Sequence, residues 1–472
     1  MHLLKRRRRS IVLRIFDYGL IVGPLFVLIL VGLLGIWWYV TATYEVVISG
    51  GRVIDPETGT DRVMYIGINH GKIAELSEFP LLGRTEIPAK GKIVGPGFID
   101  VVSHSPRKFD QQMALLSGVT TIIDGGVGTQ NVAEYRQQIG KPFIHIGVGV
   151  NVGALRPRYP MQPADFSMWI GAIDRQIKAG AGTIIWDVPT DILAAESELM
   201  PLMALAGRSR LLLSIRLPVA QNRDSFLRFI DHIVVAAQGA DATVILNNVI
   251  PASHIYVRAV LARLGQDADA HVFLGFSPYS GEIVVPNQTA YPLNELRMAK
   301  VPLINFDTGE RVGRGGRLPH TVIAMVTPIS VLNEVIWYPR ALVVSNGRWG
   351  LPEIRHPRYA GTFPRILNKW VVCTKKMTWG AAFELMSGRP ADVMSVAYPA
   401  LKAKGKLRIG GDADLIVVDP RVIEDWATYQ HPVQPSRGIV HVIVNGRWVV
   451  RKGQFVTRVR PGDFLLSAQS MR

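Results

Sequence analysis

One apolar run stands apart from the rest of the chain. From Gly19 to Val40 there is no charged residue, only apolar side chains, four glycines, Pro24 and Tyr39. About 20 such residues, at ~1.5 Å each, cross a hydrocarbon core of ~30 Å. Trp37, Trp38 and Tyr39 close the run, where aromatic rings favour the headgroup layer. Before it stand Lys5, Arg6, Arg7, Arg8, Arg9 and Arg14. The pattern predicts a basic cytoplasmic segment over 1–18, a transmembrane helix over 19–40, and the rest of the chain on the far side. A cleaved signal peptide is the alternative. Its apolar core would run only ~7–15 residues, and Thr41-Ala42-Thr43 is a weak cleavage site. No second run of this length follows, so the expectation is a single-pass protein of a bacterial-type inner membrane with its main unit in the periplasm. Gly23, Gly32 and Gly35 would let a partner helix approach closely.

Beyond the run the pattern changes twice. Val46 to Ile54 and His441 to Val450 each read as strand, tight turn, strand, and Asn445-Gly446 favours a hairpin. Met64 to Ile68, Lys72 to Leu76 and Ala413 to Val418 add further strands. These segments predict one small β-sandwich domain assembled from 43–97 and 400–458, with 98–399 inserted and 459–472 left as a tail. The insert alternates short apolar runs with amphipathic stretches. Thr120–Ile123, Phe143–Ile146, Thr183–Trp186, Leu211–Ile215, Thr243–Leu246, Val272–Leu274 and Ala341–Val344 are the strand candidates, and Phe166–Ala179 and Asp224–Ala237 are two of the helices. Continuous apolar strands alternating with helices indicate parallel pairing buried on both faces. About eight such units over ~300 residues predict an α/β fold of (β/α)8 TIM-barrel type, with its site at the strand C-termini. A doubly wound open sheet is the alternative, ranked lower because no glycine-rich phosphate loop opens a helix.

Charge and cysteine content narrow the partners. Of the net charge of +16, +5 lies within residues 1–40, where six basic residues face Asp17, and the outer part keeps +11. That excess favours anionic lipid, an acidic partner or an anionic ligand. No nucleic-acid-binding motif is present, so nucleic acid is not an expected partner. Cys373 is the one cysteine, which rules out an intramolecular disulfide. Its apolar surroundings, Trp370 to Val372, predict a buried, inert thiol.

Several ordered motifs now add up. Val46–Ile54 followed by Asp55-Pro56-Glu57-Thr58-Gly59, then Val94-Gly95-Pro96-Gly97-Phe98-Ile99-Asp100, Gly118-Val119-Thr120-Thr121, and Gly410-Gly411-Asp412-Ala413-Asp414 running on to Asp419 resemble the amidohydrolase superfamily. His356-Pro357-Arg358-Tyr359 through Arg365, with Pro278-Tyr279, make the chain most similar to N-acyl-D-amino-acid deacylases, particularly D-glutamate deacylase-like members. The resemblance covers about 45–455 and implies a barrel that binds one or two divalent metals, which polarise an amide carbonyl and activate water.

The same alignment shows where the chain departs from that chemistry. The family's His-x-His corresponds to Val102-Ser103-His104. Its second-strand ligand falls in Ile123–Gly128, where Asp124 is the one candidate donor and Val127 a substituted position. Its Gly-His corresponds to Asn151-Val152 ahead of Arg156, its His-x-Arg to Ser214-Ile215-Arg216, and a further histidine to Asn247 or Asn248. Its Ser-Asp-Gly, whose aspartate serves as general base, reads Ser345-Asn346-Gly347, and an amide accepts no proton at neutral pH. A catalytic zinc needs ~3 protein ligands plus water, which His104 and Asp124 alone do not supply. The expectation is therefore a metal-free barrel.

Other residues read two ways. His145 reads as core; His254, His271 and His320 lie near predicted loops and would have to supply any displaced site. Arg156 and Arg216 are either structural ion pairs or the wall of a pocket for a carboxylate or phosphate; Tyr279, Ser345 and His356 are the other ligand-binding candidates. Two functions follow. The first is a catalytically inactive, membrane-anchored binding or structural subunit of a membrane complex, with no cofactor, contacting its partner through the helix and barrel surface. The second is a metal-dependent hydrolase of linear C–N bonds, of N-acyl-D-amino-acid or D-glutamate deacylase type, holding zinc.

Overall fold

The computed structural model describes residues 27–33, 43–104, 107–155, 166–189, 192–218, 222–249, 256–265, 271–284, 300–313, 319, 321–348 and 356–471. Most of the predicted transmembrane span lies outside them. Residues 27–33 are helical with exposed side chains. Among the described residues no helix is long and apolar enough to cross a membrane.

Eight parallel strands follow one another in chain order around the central unit: β1 (Phe98–Asp100), β2 (Val119–Thr129), β3 (His145–Asn151), β4 (Thr183–Asp187), β5 (Leu212–Arg216), β6 (Thr243–Asn247), β7 (Val272–Phe276) and β8 (Ala341–Val343). Helices lie between successive strands, among them Lys108–Leu116, Val132–Ile139, Phe166–Lys178, Ile192–Ser209, Arg223–Ala240, Val257–Gly265 and Ile329–Ile336. The sheet curls until its edges meet beyond the ends of β1 and β8. There Asn346 N–H donates to the Val102 carbonyl at 2.9 Å, and Gly347 and Arg348 pair in parallel with Ser103 and His104. This is the nearly closed TIM-type barrel that the alternation predicts.

Side chains alternate along each strand, and burial follows that alternation. Outward residues such as Ile122, Val148, Val150, Leu213, Val244 and Val343 join the helices in one large cluster. Inward residues Ile99, Ile123, Leu212, Ile245 and Leu342 form a second cluster, closed from below by Met394, Tyr398, Leu401 and Leu465. Tyr398 plugs the base: its hydroxyl donates to the Val148 carbonyl at 2.8 Å, and a Cβ at Gly182 would lie 2.5 Å from its ring. Leu465 arrives on the C-terminal segment, which is docked rather than loose: Leu465 N–H donates to Ile146 O and Ile146 N–H to Asp463 O.

A nine-stranded sheet draws on both chain ends, because Ile93–Pro96 pairs antiparallel with Leu415–Val418. It is tied to the barrel base by a buried charge cluster. Lys404 Nζ lies 2.6 Å from Asp414, 2.7 Å from Asp412 and 3.0 Å from His145 Nε2. A three-stranded antiparallel sheet, Glu282–Val284, Leu303–Asn305 and Val322–Ala324, interrupts the run between β7 and β8. Nothing in the hydropathy pattern announced it. Cys373 corrects an expectation: it is exposed, because the apolar run around it belongs to a π-helical turn that buries Trp370 and Val371 and turns the thiol outward.

Candidate functional site

Just above the inward apolar layer, the next inward positions form a ring at the strand C-termini. Ser214 follows Leu212 on β5, Asn247 follows Ile245 on β6, and Asn346 follows Val344 after β8. Their polar groups are linked. Asn247 Nδ2 donates to Ser214 Oγ at 2.8 Å, and Ser214 Oγ donates to Gly125 O at 2.7 Å. The ring of His104 stands against the backbone of Gly126, where a Cβ would come within 2.6 Å of it. His104 Nε2 meets Asn346 Oδ1. In the tautomer that carries its proton on Nε2, His104 donates to this amide oxygen. Val102 belongs to the inward apolar cluster.

Three positions face elsewhere. Val152 is buried in the outer cluster, and the inward residue of β3 is its neighbour Asn151, whose Nδ2 donates to Val127 O at 2.7 Å. Val127 enters through that carbonyl. Asp124 also points outward: it accepts from Gly128 N at 2.8 Å, Val127 N at 3.2 Å and the Tyr135 hydroxyl at 2.9 Å, on the helix side of β2. Burial, with Asp124 beside it, holds the Tyr135 hydroxyl protonated far above its ordinary range. Ser345 faces outward too, with its hydroxyl and its N–H both donating to Asp100.

The remaining candidates scatter. Arg216 crosses the mouth to donate to Gly126 O and lies 3.3 Å from Asp187, so it braces the rim. His356 is fully buried, with Nε2 on Gly281 O at 2.9 Å and Nδ1 accepting from Arg358 N at 3.1 Å. Burial and then the Arg358 charge keep it neutral well below the usual histidine range. Tyr279 donates to Pro357 O and lies under the Arg365 guanidinium, 4.5 Å from ring centre. His145 and His271, which pairs with Asp241, stand at the N-terminal ends of β3 and β7, away from the mouth. Arg156, His254 and His320 lie outside the described residues.

A pocket opens beside this ring, lined by Asn247, Gly275, Ser277, Glu282, Asn346 and Arg358. Arg358 pairs with Glu282 at 3.2 Å, and burial pushes the Glu282 carboxyl up despite that guanidinium. Asn247 Oδ1, Ser277 Oγ and Arg358 Nε are buried and find no hydrogen-bond partner among the described residues. An acceptor, a hydroxyl and a cationic donor thus share one pocket. Sequence reasoning quoted Arg358 only as part of a motif and missed Ser277 and Glu282, which the excursion after β7 brings in.

The donor set was tested against a divalent metal. Among the described residues no three His, Cys, Asp or Glu side chains come together to hold one. Among the described residues the inward ring offers one imidazole beside neutral amides and a hydroxyl, a set that does not fit a catalytic zinc with its ~3 protein ligands.

A parallel eight-stranded barrel, its mouth built from strand C-termini and its base fused to a β-unit from both chain ends, places the chain among the TIM-type barrels with an attached β-unit. No family model matches the chain. It is 26% identical over 90% of its length to the N-acyl-D-aspartate deacylase of Alcaligenes xylosoxydans xylosoxydans, 95% of which is covered. To the N-acyl-D-glutamate deacylase of the same organism it is 26% identical over 85% of its length and 93% of the relative's. The crystal structure of N-acyl-D-glutamate deacylase from Bordetella bronchiseptica, complexed with zinc and a phosphonate inhibitor, superposes with a TM-score of 0.75 at 23% identity, covering 90% of this chain and 99% of that one. Over nearly its whole length the chain is thus similar to amidohydrolases of the D-aminoacylase kind, and it shares their fold.

Proposed function

We propose that this protein is a membrane-anchored member of the family whose barrel mouth binds a small polar ligand without hydrolysing it. The observation that carries this reading is the pocket itself: among the described residues Asn247 Oδ1, Ser277 Oγ and Arg358 Nε lack partners, and the inward ring beside them presents amides and a hydroxyl. A buried polar atom left unpaired costs ~1–3 kcal/mol, so a ligand that satisfies three of them has a clear gain to make. The matching chemistry is a carboxylate for Arg358 together with an N–H donor for Asn247, as in an N-acylated amino acid. The anchor over 19–40 holds the barrel at the outer surface of an inner membrane, where it serves as a binding subunit of a membrane complex.

A second reading is a metal-dependent hydrolase of N-acyl-D-amino acids. The comparisons favour it over the first, since the relatives matched over nearly their full lengths are named as deacylases. The donor chemistry of the mouth favours the first. Incubation of the full chain with N-acetyl-D-aspartate and N-acetyl-D-glutamate, with and without added zinc, separates them. The binding reading expects saturable thermal stabilisation that Arg358→Met removes, with no free amino acid released. Release of amino acid that requires zinc overturns it in favour of the hydrolase.

A further inference from the structure

The folded unit begins almost at the end of the apolar run. Only residues 41 and 42 separate Val40 from Thr43, a reach of about 10 Å even when extended. The headgroup layer beyond the hydrocarbon core is itself about 6 Å deep. Whatever is held to Thr43 is therefore held to the bilayer surface.

What is held there is well defined. Leu82 O accepts from both Thr43 N at 3.1 Å and Tyr44 N at 3.2 Å, and Asn69 Nδ2 donates to Thr43 O at 3.2 Å. Leu82 closes the segment Phe79-Pro80-Leu81-Leu82, whose Phe79 is 79% exposed, the largest value among the exposed large apolar side chains, and whose Leu82 is 48% exposed. Ile409, 66% exposed, joins from the neighbouring chain, where Gly410 and Gly411 bond to Ile73 beside the Asn69–Lys72 turn. Lys72 nearby pairs with Asp412, and Arg408 with Glu57, so this surface carries no unpaired excess of cations from them. Exposed apolar side chains beside a chain segment that emerges from the bilayer suit a phospholipid interface.

The same contacts continue to the barrel. A Cβ at Gly71 would lie 3.1 Å from Asn445 O, Asn445 N donates to Asp414 Oδ1 at 2.8 Å, and Asp414 meets His145 at the N-terminal end of β3. The tether point thus connects through a short series of contacts to the barrel base, and the mouth lies one strand length further on.

We infer that the end of the β-unit bearing Phe79 and Leu82 is a lipid-contacting face, which seats the barrel base toward the bilayer and presents the mouth to the aqueous compartment. The inference rests on the anchor proposed above. It commits to phospholipid as the occupant; a second copy of the chain is the competing occupant.

The test uses the full chain in vesicles of phosphatidylethanolamine and phosphatidylglycerol, in a Cys373→Ser background. An environment-sensitive probe is attached at Phe79→Cys, Leu82→Cys or Ala133→Cys, the last in the first turn of the helix that leaves the mouth side of β2. Flotation on a density gradient is measured in parallel. The expected result is flotation with the vesicles, and quenching by lipids spin-labelled near the headgroup at least about twice as strong at 79 and 82 as at 133. Flotation with equal quenching at all three positions overturns the inference and leaves the anchor standing. Flotation in which 79 and 82 are shielded from water but not quenched by lipid, with crosslinks between copies, also overturns it, in favour of the second copy. Failure to float overturns anchor and inference together.

Discussion

Two carboxyls behind β1 behave unlike ordinary aspartates. Asp100 and Asp110 line one pocket on the outer side of the strand, and burial pushes each up to about 7. Ser345 N–H and hydroxyl donate to Asp100, and Arg107 N–H to Asp110, but these bonds do not offset the lost hydration. A carboxyl whose folded pKa exceeds its unfolded value near 3.8 binds more protons in the native state between those two values. Stability from these groups is therefore present below about pH 4 and lost as pH rises toward 7, at up to ~1.4 kcal/mol per pH unit for each. His356, kept neutral by burial, acts in the opposite sense below about pH 6.5. The wild-type profile is thus a composite, and comparison with a variant isolates the carboxyl. Asp100→Asn is expected to be the more stable relative to wild type at pH 7.5 than at pH 4.5, as read from urea midpoints at the two pH values. A constant difference across that range contradicts the burial argument.

At the scale of elements, the joint between β3 and the β-unit carries the largest expected single-site effect. Lys404 is almost fully buried and supplies the charge that holds the Asp414 carboxyl far below its usual range, against the opposing effect of burial. Lys404→Met leaves Asp414 buried without its cation, and the expected loss is ~3–5 kcal/mol by denaturant unfolding. The double variant Lys404→Met with Asp414→Asn is expected to recover part of it; full additivity of the two changes contradicts the coupling. At the barrel base Gly182→Ala drives a methyl into the Tyr398 ring and is expected to lose ~1–3 kcal/mol in the same measurement. These elements differ in how far the sequence announced them. The barrel strands were legible because strands buried on both faces read as continuous apolar runs; β1 was legible only from its motif, being Phe98–Asp100 alone. Inward and outward faces were legible in principle: Gly147 and Gly149 share their parity with Asn151, so Asn151, not Val152, had to face the barrel interior. The sheet between β7 and β8 was not legible, since each of its strands is three residues long and periodicity needs more turns of the pattern than that. Glu282 and Ser277 reach the pocket through that excursion, which is why residue patterns alone did not assemble it.

For the molecule as a whole, the barrel, its base plug and the β-unit share the fold of the solved deacylase, while the described part of the mouth presents amides, a hydroxyl and one imidazole. Within the mouth, Ser214, Asn247, Asn151 and Asn346 hydrogen-bond to one another, to His104 or to the backbone of β2, while Asn247 Oδ1 stays open to a ligand among the described residues. The central claim, that this mouth binds without a metal, is tested most directly by elemental analysis of the full chain purified without chelator and then equilibrated with zinc, beside His104→Ala. The account predicts well under one zinc per chain in both proteins, with no difference between them. One zinc per wild-type chain that His104→Ala removes would contradict it.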